Sequence, residues 1–159
     1  GVGGRRELVP EDDSALNALR RRVAPDRVGR DSGARAKAVI LMLCRNRELL
    51  AALDTLRDFE DRFNQHFRYP YVFLNDDTFT PEFEYSVRAA LPGRTVHFGR
   101  VPQEHWSYPQ HIDRERARDS RKLLSSVVHG GSQAYRFMCR FYSGFFYRHP
   151  LLQDYEWYW

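Results

Sequence analysis

The chain has 159 residues, 42% of them hydrophobic and 14% aromatic, with 25 Lys and Arg against 21 Asp and Glu for a formal charge of +4. That length and apolar content suit one domain with a core of its own and exclude a largely disordered chain. Cys44 and Cys139 are too few for a disulfide scaffold or a zinc site, and no apolar run approaches the ~18 residues of a membrane helix. No signal peptide is recognisable either, so if the protein is secretory its address is expected outside this segment.

Residues 1–33 carry many charges, no aromatics and few large apolar side chains, which predicts a stem or linker. Ser14 to Val23 could form a short helix within it, although its apolar positions are thin. Folding is expected from Ala34 onward. Ala38 to Cys44 (AVILMLC) is an apolar run of strand length, the pattern of a strand buried on both faces, and Arg45-Asn46 ends it. From Arg47 to about His66, Leu49, Leu50, Leu53, Leu56, Phe59 and Phe63 recur at helical spacing opposite a charged face, where Glu60 and Asp61 are expected in solvent. Tyr69 to Leu74 (YPYVFL) is a second strand, with Asn75-Asp76-Asp77 as its exit turn. Pro81 to Leu91 is a helix opened by its proline and closed by Pro92-Gly93, and Thr95 to Phe98 is a third strand. Strand, helix, strand, helix, strand predicts a parallel α/β sheet with ligands at the carboxyl ends of its strands.

Arg100 to Pro109 is polar, and its His105 and Trp106 are read as loop packing. Asp113 to Leu124 is a charged helix leading to Val127-Val128-His129. Then Gly130 to Pro150 (GGSQAYRFMCRFYSGFFYRHP) reads as one helix with Ser132 as N-cap, apolar nearly all round and so expected to be buried. Arg136, Arg140 and Arg148 ride on it and need anionic or carbonyl partners. Leu151 to Trp159 turns into an aromatic strand that ends the segment, which is read as part of a longer protein.

Of the motifs that carry chemistry, a Gly-rich phosphate loop is lacking, since the first strand exits as CRNRELL. Arg45 either meets a phosphate beside the next helix or merely ends a strand. Asn75, Asp76 and Asp77 either offer oxygens to a cation or a sugar hydroxyl or form a polar turn. Tyr135 and Arg140 either join a core network or reach a nucleotide diphosphate in a cleft. Nearly all the basicity is arginine, Lys37 and Lys122 being the lysines, but it is interleaved with acids rather than gathered in a stripe. Nucleic acid is accordingly not expected as a partner.

The segments RNRELLAALDTLRDFEDRFN, YPYVFLNDDTF, EHWSYPQHID and YRFMCRFYSGFFYRHPLL, in this order, resemble the fungal α-1,2-mannosyltransferases of glycosyltransferase family 15. The likeness runs from Ala34 to Trp159. It implies a glycosyltransferase-A-like α/β fold, mostly parallel, of which this chain holds the nucleotide-binding N-terminal portion. It also implies a type II protein on the lumenal side of the Golgi membrane, anchored by a segment outside this chain. The implied reaction moves mannose from GDP-mannose to a mannosylated N- or O-linked glycan acceptor in α-1,2 linkage, with retention and with Mn2+. The alternative is a non-catalytic sugar-nucleotide or glycan-binding domain of the same fold. By resemblance, Arg45 meets the guanine nucleotide, Asn75 and Asp76 line the nucleotide side of the cleft, and Tyr135 lies close to the donor. Arg140 and Ser143 lie in the same matched helix and are carried over as donor-binding. Two positions depart from the family pattern: Cys44 replaces a small residue, and Tyr142 stands where relatives often have an acid. The metal ligands and catalytic acids are expected beyond Trp159, so no metal ligand is assigned in this chain and the segment alone is expected to be inactive.

Overall fold

In the computed structural model, which describes residues 35–159, the apolar run forms strand β1 at Ala38–Leu43. β2 (Tyr71–Asn75) and β3 (Val96–Arg100) lie to one side of it and β4 (Trp157–Tyr158) to the other. The order is β3-β2-β1-β4, and every neighbouring pair is parallel. Ile40 stands opposite Tyr71, and Asn75 opposite Arg100. Alternate side chains feed two cores. Ile40, Tyr71 and Phe73 pack with α1 (Leu49–Phe59) and α2 (Pro81–Ala90), while Val39, Val72 and Leu74 pack with Trp106, Phe141 and Leu152. Burial on both faces is why β1 and β2 read as unbroken apolar runs. The stem expected over 1–33 and the helix at Ser14–Val23 fall outside the described residues.

The first helix is longer than α1 alone. A 3₁₀ turn at Asn46–Glu48 leads in, a π turn at Glu60–Asn64 widens it, and Gln65–Phe67 completes it before Arg68 turns left-handed. Glu60 is not in solvent as expected, its side chain being only 16% exposed. It accepts from Arg94 Nη2 at 2.7 Å, from the Tyr71 hydroxyl at 2.7 Å and from Asn64 Nδ2 at 2.7 Å. Burial pushes its carboxyl up, but these hydrogen bonds outweigh burial and hold it below the ordinary value. Arg94 lies 34 residues away, so helical spacing cannot show it.

α2 is capped by Thr80, whose Oγ1 accepts from Phe83 N, and Gly93 takes the left-handed turn (φ 71°) that frees the chain for β3. α3 (Arg114–Leu123) is capped by Asp113, and α4 (Gln133–Gly144) by Ser132. α4 corrects two expectations. The helix stops at Gly144, where Phe145 leaves helical geometry (φ −133°), and 3₁₀ turns at Phe146–Arg148 and Pro150–Leu152 follow. Nor is it buried all round. Phe141 is its one buried residue, while Tyr135, Tyr142 and Tyr147 of this segment are about two-fifths exposed. Tyrosine carries an apolar body and a wet tip, so it satisfies an apolar pattern without being core.

The last stretch is a strand only at Trp157–Tyr158, with Leu152 packed in the second core instead. His149 explains the break. Its Nδ1 accepts from Leu151 N at 3.3 Å, which leaves Nε2–H to donate to the Arg100 carbonyl at 3.2 Å. Burial lowers its pKa, against the pull of the Arg100 carbonyl, so the ring stays neutral and can serve as both donor and acceptor.

Candidate functional site

The helices after β1 and β2 cover one face of the sheet, whereas α4 covers the other, so the carboxyl ends of β1 and β2 open where the two layers part. A hollow of about 360 Å³ lies there. Arg45, Arg47 and Glu48 line it from the exit of β1, Asn75 and Asp76 from β2, and Ser132, Tyr135 and Met138 from α4 and its cap. A shallower hollow over Asn46 and Asp77 shares Arg45, Arg47, Asn75 and Asp76 with it.

Local bonds set these groups in place. Arg45 N donates to Glu48 Oε2 at 2.8 Å, tying the strand exit to the first helical turn. Asn46 reaches across the sheet: its Nδ2 donates to the Thr78 carbonyl at 2.9 Å and its Oδ1 accepts from Thr80 N at 3.0 Å. That clamp holds the β1 and β2 exits side by side. Arg45 Nε then stands 3.4 Å from Asp76 Oδ1, each side chain 29% exposed, an orienting pair rather than a large source of stability. Tyr135 stacks on His129, ring centroids 4.7 Å apart and planes within 14°. His129 has a left-handed backbone (φ 60°), which turns its ring back over the start of α4.

Asn75 is the anomaly. The exit-turn reading is corrected here, because Asn75 is the last paired residue of β2, its carbonyl accepting from Val101 N at 2.8 Å. It is 1% exposed, yet neither Oδ1 nor Nδ2 has a hydrogen-bond partner among the described residues. Such orphan amides are rare in folded proteins, and one in the wall of a hollow is a candidate contact for whatever enters it.

The structure thus brings Arg45, Asn75, Asp76 and Tyr135 to one hollow. Arg140 and Ser143 engage elsewhere: Arg140 Nη1 donates to the Glu104 carbonyl at 2.9 Å and its guanidinium lies 4.6 Å from the Phe145 ring centre, while Ser143 Oγ bonds the Cys139 carbonyl at 2.7 Å. Neither lines the hollow. Trp106, read as loop packing, is indeed buried against Phe137 and Phe141, but it also forms part of the wall. His129 was not singled out by the sequence; the glycine pair after it is the one local hint of its backbone turn. Cys44 lines the floor, and burial, then the charge of Glu48, pushes its thiol up to about 12.

Among the described residues no three His, Cys, Asp or Glu side chains gather as a metal site. Asp76 is tied to Arg45, and Asp77 accepts from Thr78 N. A larger hollow of about 600 Å³ lies beside Phe59, Phe63 and Trp159, lined mainly by apolar atoms and sharing no residue with the first.

A family model described as "Glycolipid 2-alpha-mannosyltransferase" matches residues 7–159. The chain is 51% identical over 127 residues to "Glycolipid 2-alpha-mannosyltransferase 2" of Candida albicans, covering 79% of this chain and 27% of that protein. It is 49% identical over 130 residues to "Alpha-1,2 mannosyltransferase KTR1" of Saccharomyces cerevisiae, covering 80% and 33%. Its structure is similar to that of the mannosyltransferase Ktr4p from S. cerevisiae in complex with GDP, with a TM-score of 0.75, 40% identity, and coverage of 78% and 32%. A TM-score of 0.75 is also reached, at 38% identity and coverage of 79% and 34%, with core-mannan synthase A of Aspergillus fumigatus in its Mn/GDP form. The fold is therefore the glycosyltransferase-A-like α/β arrangement of these mannosyltransferases. The chain spans between 27% and 34% of the length of these relatives.

Proposed function

The chain belongs to the glycolipid 2-alpha-mannosyltransferase family, and from that premise we propose that it forms the nucleotide-holding wall of an enzyme that transfers mannose from GDP-mannose. The acceptor is a mannosyl unit on an N- or O-linked glycan, the new linkage is α-1,2, and the anomeric configuration is retained. The place of action is the lumenal side of the Golgi membrane, with the anchor outside this chain. No helix among the described residues is long and apolar enough to cross a membrane.

The observation that carries the nucleotide reading is the buried, unpaired amide of Asn75, a residue in the wall of the hollow that Arg45 and Tyr135 also line. An amide offers one acceptor and two donor hydrogens, which suits a polar edge of a nucleotide rather than a bare ion. Transfer breaks the bond between the anomeric carbon and the diphosphate oxygen, so negative charge grows on GDP as it leaves. Arg45 and Arg47 supply positive charge at that end, and Asp76 keeps the Arg45 guanidinium turned toward the hollow. The Tyr135 ring, backed by His129, forms the facing wall and shields the donor from water. The acids in this hollow are engaged by arginine or by backbone, so Mn2+ is assigned no ligand among the described residues.

Titration calorimetry of the chain with GDP tests this. GDP should bind saturably and more tightly than UDP or inorganic phosphate, and Arg45→Ala should weaken it by about tenfold, as loss of a charge-assisted contact does. Absence of saturable heat with GDP up to about 1 mM, where only a trivial affinity would go unseen, would refute the reading.

A further inference from the structure

A second hollow, about 410 Å³, lies beyond Trp106, between the loop at 103–108, α3 and the start of α4. It shares Trp106 with the nucleotide hollow and nothing else. Its construction is specific. Asp113 Oδ1 accepts from Glu115 N and Arg116 N, and this cap starts α3 so that Arg114, Arg118 and Arg121 fall at i, i+4 and i+7, one helical face. Opposite, Gln133 and Phe137 stand one turn apart on α4. The loop contributes Tyr108, whose hydroxyl accepts from Arg121 Nη1, and Arg121 Nη2 donates to Gln133 Oε1 at 3.1 Å. Arg121 therefore joins all three elements. Phe137 meets the Tyr108 ring edge-on at 5.0 Å and the Trp106 ring at 6.4 Å, which makes an aromatic ledge.

Two of the three arginines on this face already have partners. Arg118 is paired with Asp119, Arg121 is spent on two neutral oxygens, and Arg114 shares the rim with Glu115. What is left is apolar ring surface bordered by planar donors and acceptors: the Gln103 amide, Gln133 Nε2, the Arg114 guanidinium and the Glu115 carboxylate. A pyranose presents that same combination, an apolar C–H face rimmed by hydroxyls that both donate and accept, and ligand sites commonly set a few placed polar groups around aromatic surface.

We propose that this hollow is a second ligand site, taking a neutral saccharide of two or more pyranose units. Resting on the mannosyl-transfer reading, the ligand is the part of the acceptor glycan remote from the sugar that receives mannose, and Trp106 is the shared wall between the two hollows. Gln103, Arg114 and Tyr108 act in acceptor choice and touch no nucleotide.

The test follows the Trp106 indole N–H resonance of the full chain while α-1,2-linked mannotriose, inorganic phosphate or GDP is added. Mannotriose should shift it saturably. Gln103→Ala and Arg114→Ala, both at exposed positions, should each weaken mannotriose by about three- to tenfold, the effect of one lost hydrogen bond, and leave GDP binding unchanged. Tyr108→Phe, which frees Arg121 and keeps the ring, should weaken mannotriose similarly. No saturable mannotriose response overturns the assignment, and so does mannotriose binding that all three variants leave intact. Phosphate displacing mannotriose from the same residues would make the hollow an anion site and overturn it as well. GDP binding by the unmodified chain is read separately, so failure of the nucleotide reading and failure of this one are told apart.

Discussion

Asn75→Leu exchanges a side chain for one of similar volume at a position 1% exposed, in the last register pair of β2, without touching the backbone bond from Val101. The amide is buried and has no partner among the described residues. Carrying such a group costs roughly 1–3 kcal/mol, and leucine removes that term while adding apolar contact with a neighbouring core. Imperfect fit of the branched side chain returns about 1 kcal/mol. The net expectation is a chain up to about 2 kcal/mol more stable, a rise in Tm of up to roughly 8 °C for a unit of this size. The same change takes one acceptor and one donor from the nucleotide, about 0.5–1.5 kcal/mol each, so GDP should bind roughly 5- to 150-fold more weakly. Urea unfolding with and without GDP reads both quantities on one sample. The midpoint without GDP should rise at unchanged slope, and the added stability that GDP gives the unmodified chain should shrink or vanish. Asn75→Ala serves as control, since it removes the amide but leaves a void, and should not be stabilising. A leucine variant that loses more than about 1 kcal/mol, or that keeps full GDP affinity, would show that the amide is not held for a ligand.

Three further outcomes follow from other parts of the fold. Glu60 is an acid whose folded pKa is depressed, so its contribution is complete above the unfolded value near 4.3 and is lost as pH falls through the lower folded value. Glu60→Gln should therefore destabilise by ~2 kcal/mol at pH 7 and flatten the acid limb of a urea-midpoint profile, and a variant with the parent's acid limb would count against the network. At Gly99 an added Cβ would lie 2.8 Å from both His149 Cε1 and Leu151 Cδ1, and the His149 ring is pinned at both nitrogens. Gly99→Ala should lower stability by about 1–3 kcal/mol in thermal or urea unfolding, and an unchanged midpoint would mean that the 3₁₀ turn at Pro150–Leu152 yields freely. Cys139 is exposed whereas the Cys44 thiol is buried and pushed up to about 12, so a thiol reagent at pH 8 should titrate one fast group, lost in Cys139→Ser, and reach Cys44 only on unfolding.

The parts of the fold that sequence reveals are those whose cause is local or repetitive. AVILMLC and YPYVFL announce strands covered on both faces, because each is an apolar run of strand length bounded by polar turn residues. Pro81 and Ser132 announce helix starts, the proline because its fixed φ suits a first turn, and the serine because its capping oxygen and the amide it satisfies are three residues apart. Glu60 shows where this fails. On its helix it is one more acid among charges, and what buries it is an arginine beyond the next strand and helix and a tyrosine in β2. The last residues fail for a related reason: LLQDYEWYW has strand composition throughout, but a capping histidine turns its first third before pairing begins at Trp157.

The hollow was half legible, and the half that was hidden is instructive. Asn75-Asp76 could be placed at a strand end, yet a turn and a ligand wall are spelled with the same residues. The difference lies in whether the amide is buried and unpaired, a property of the packing around it. Tyr135 poses the converse case. The pattern on α4 left it between a core network and a cleft, and in the fold two-fifths of it is exposed beside His129, lining the hollow. An aromatic stripe marks where water is to be excluded, by core or by ligand, and does not say which. The hollow itself decides between them: of the two tyrosines on α4, both about two-fifths exposed, Tyr135 lines it and Tyr142 does not, so an apolar body with a polar edge serves a ligand wall at one position and the surface of a core at the other.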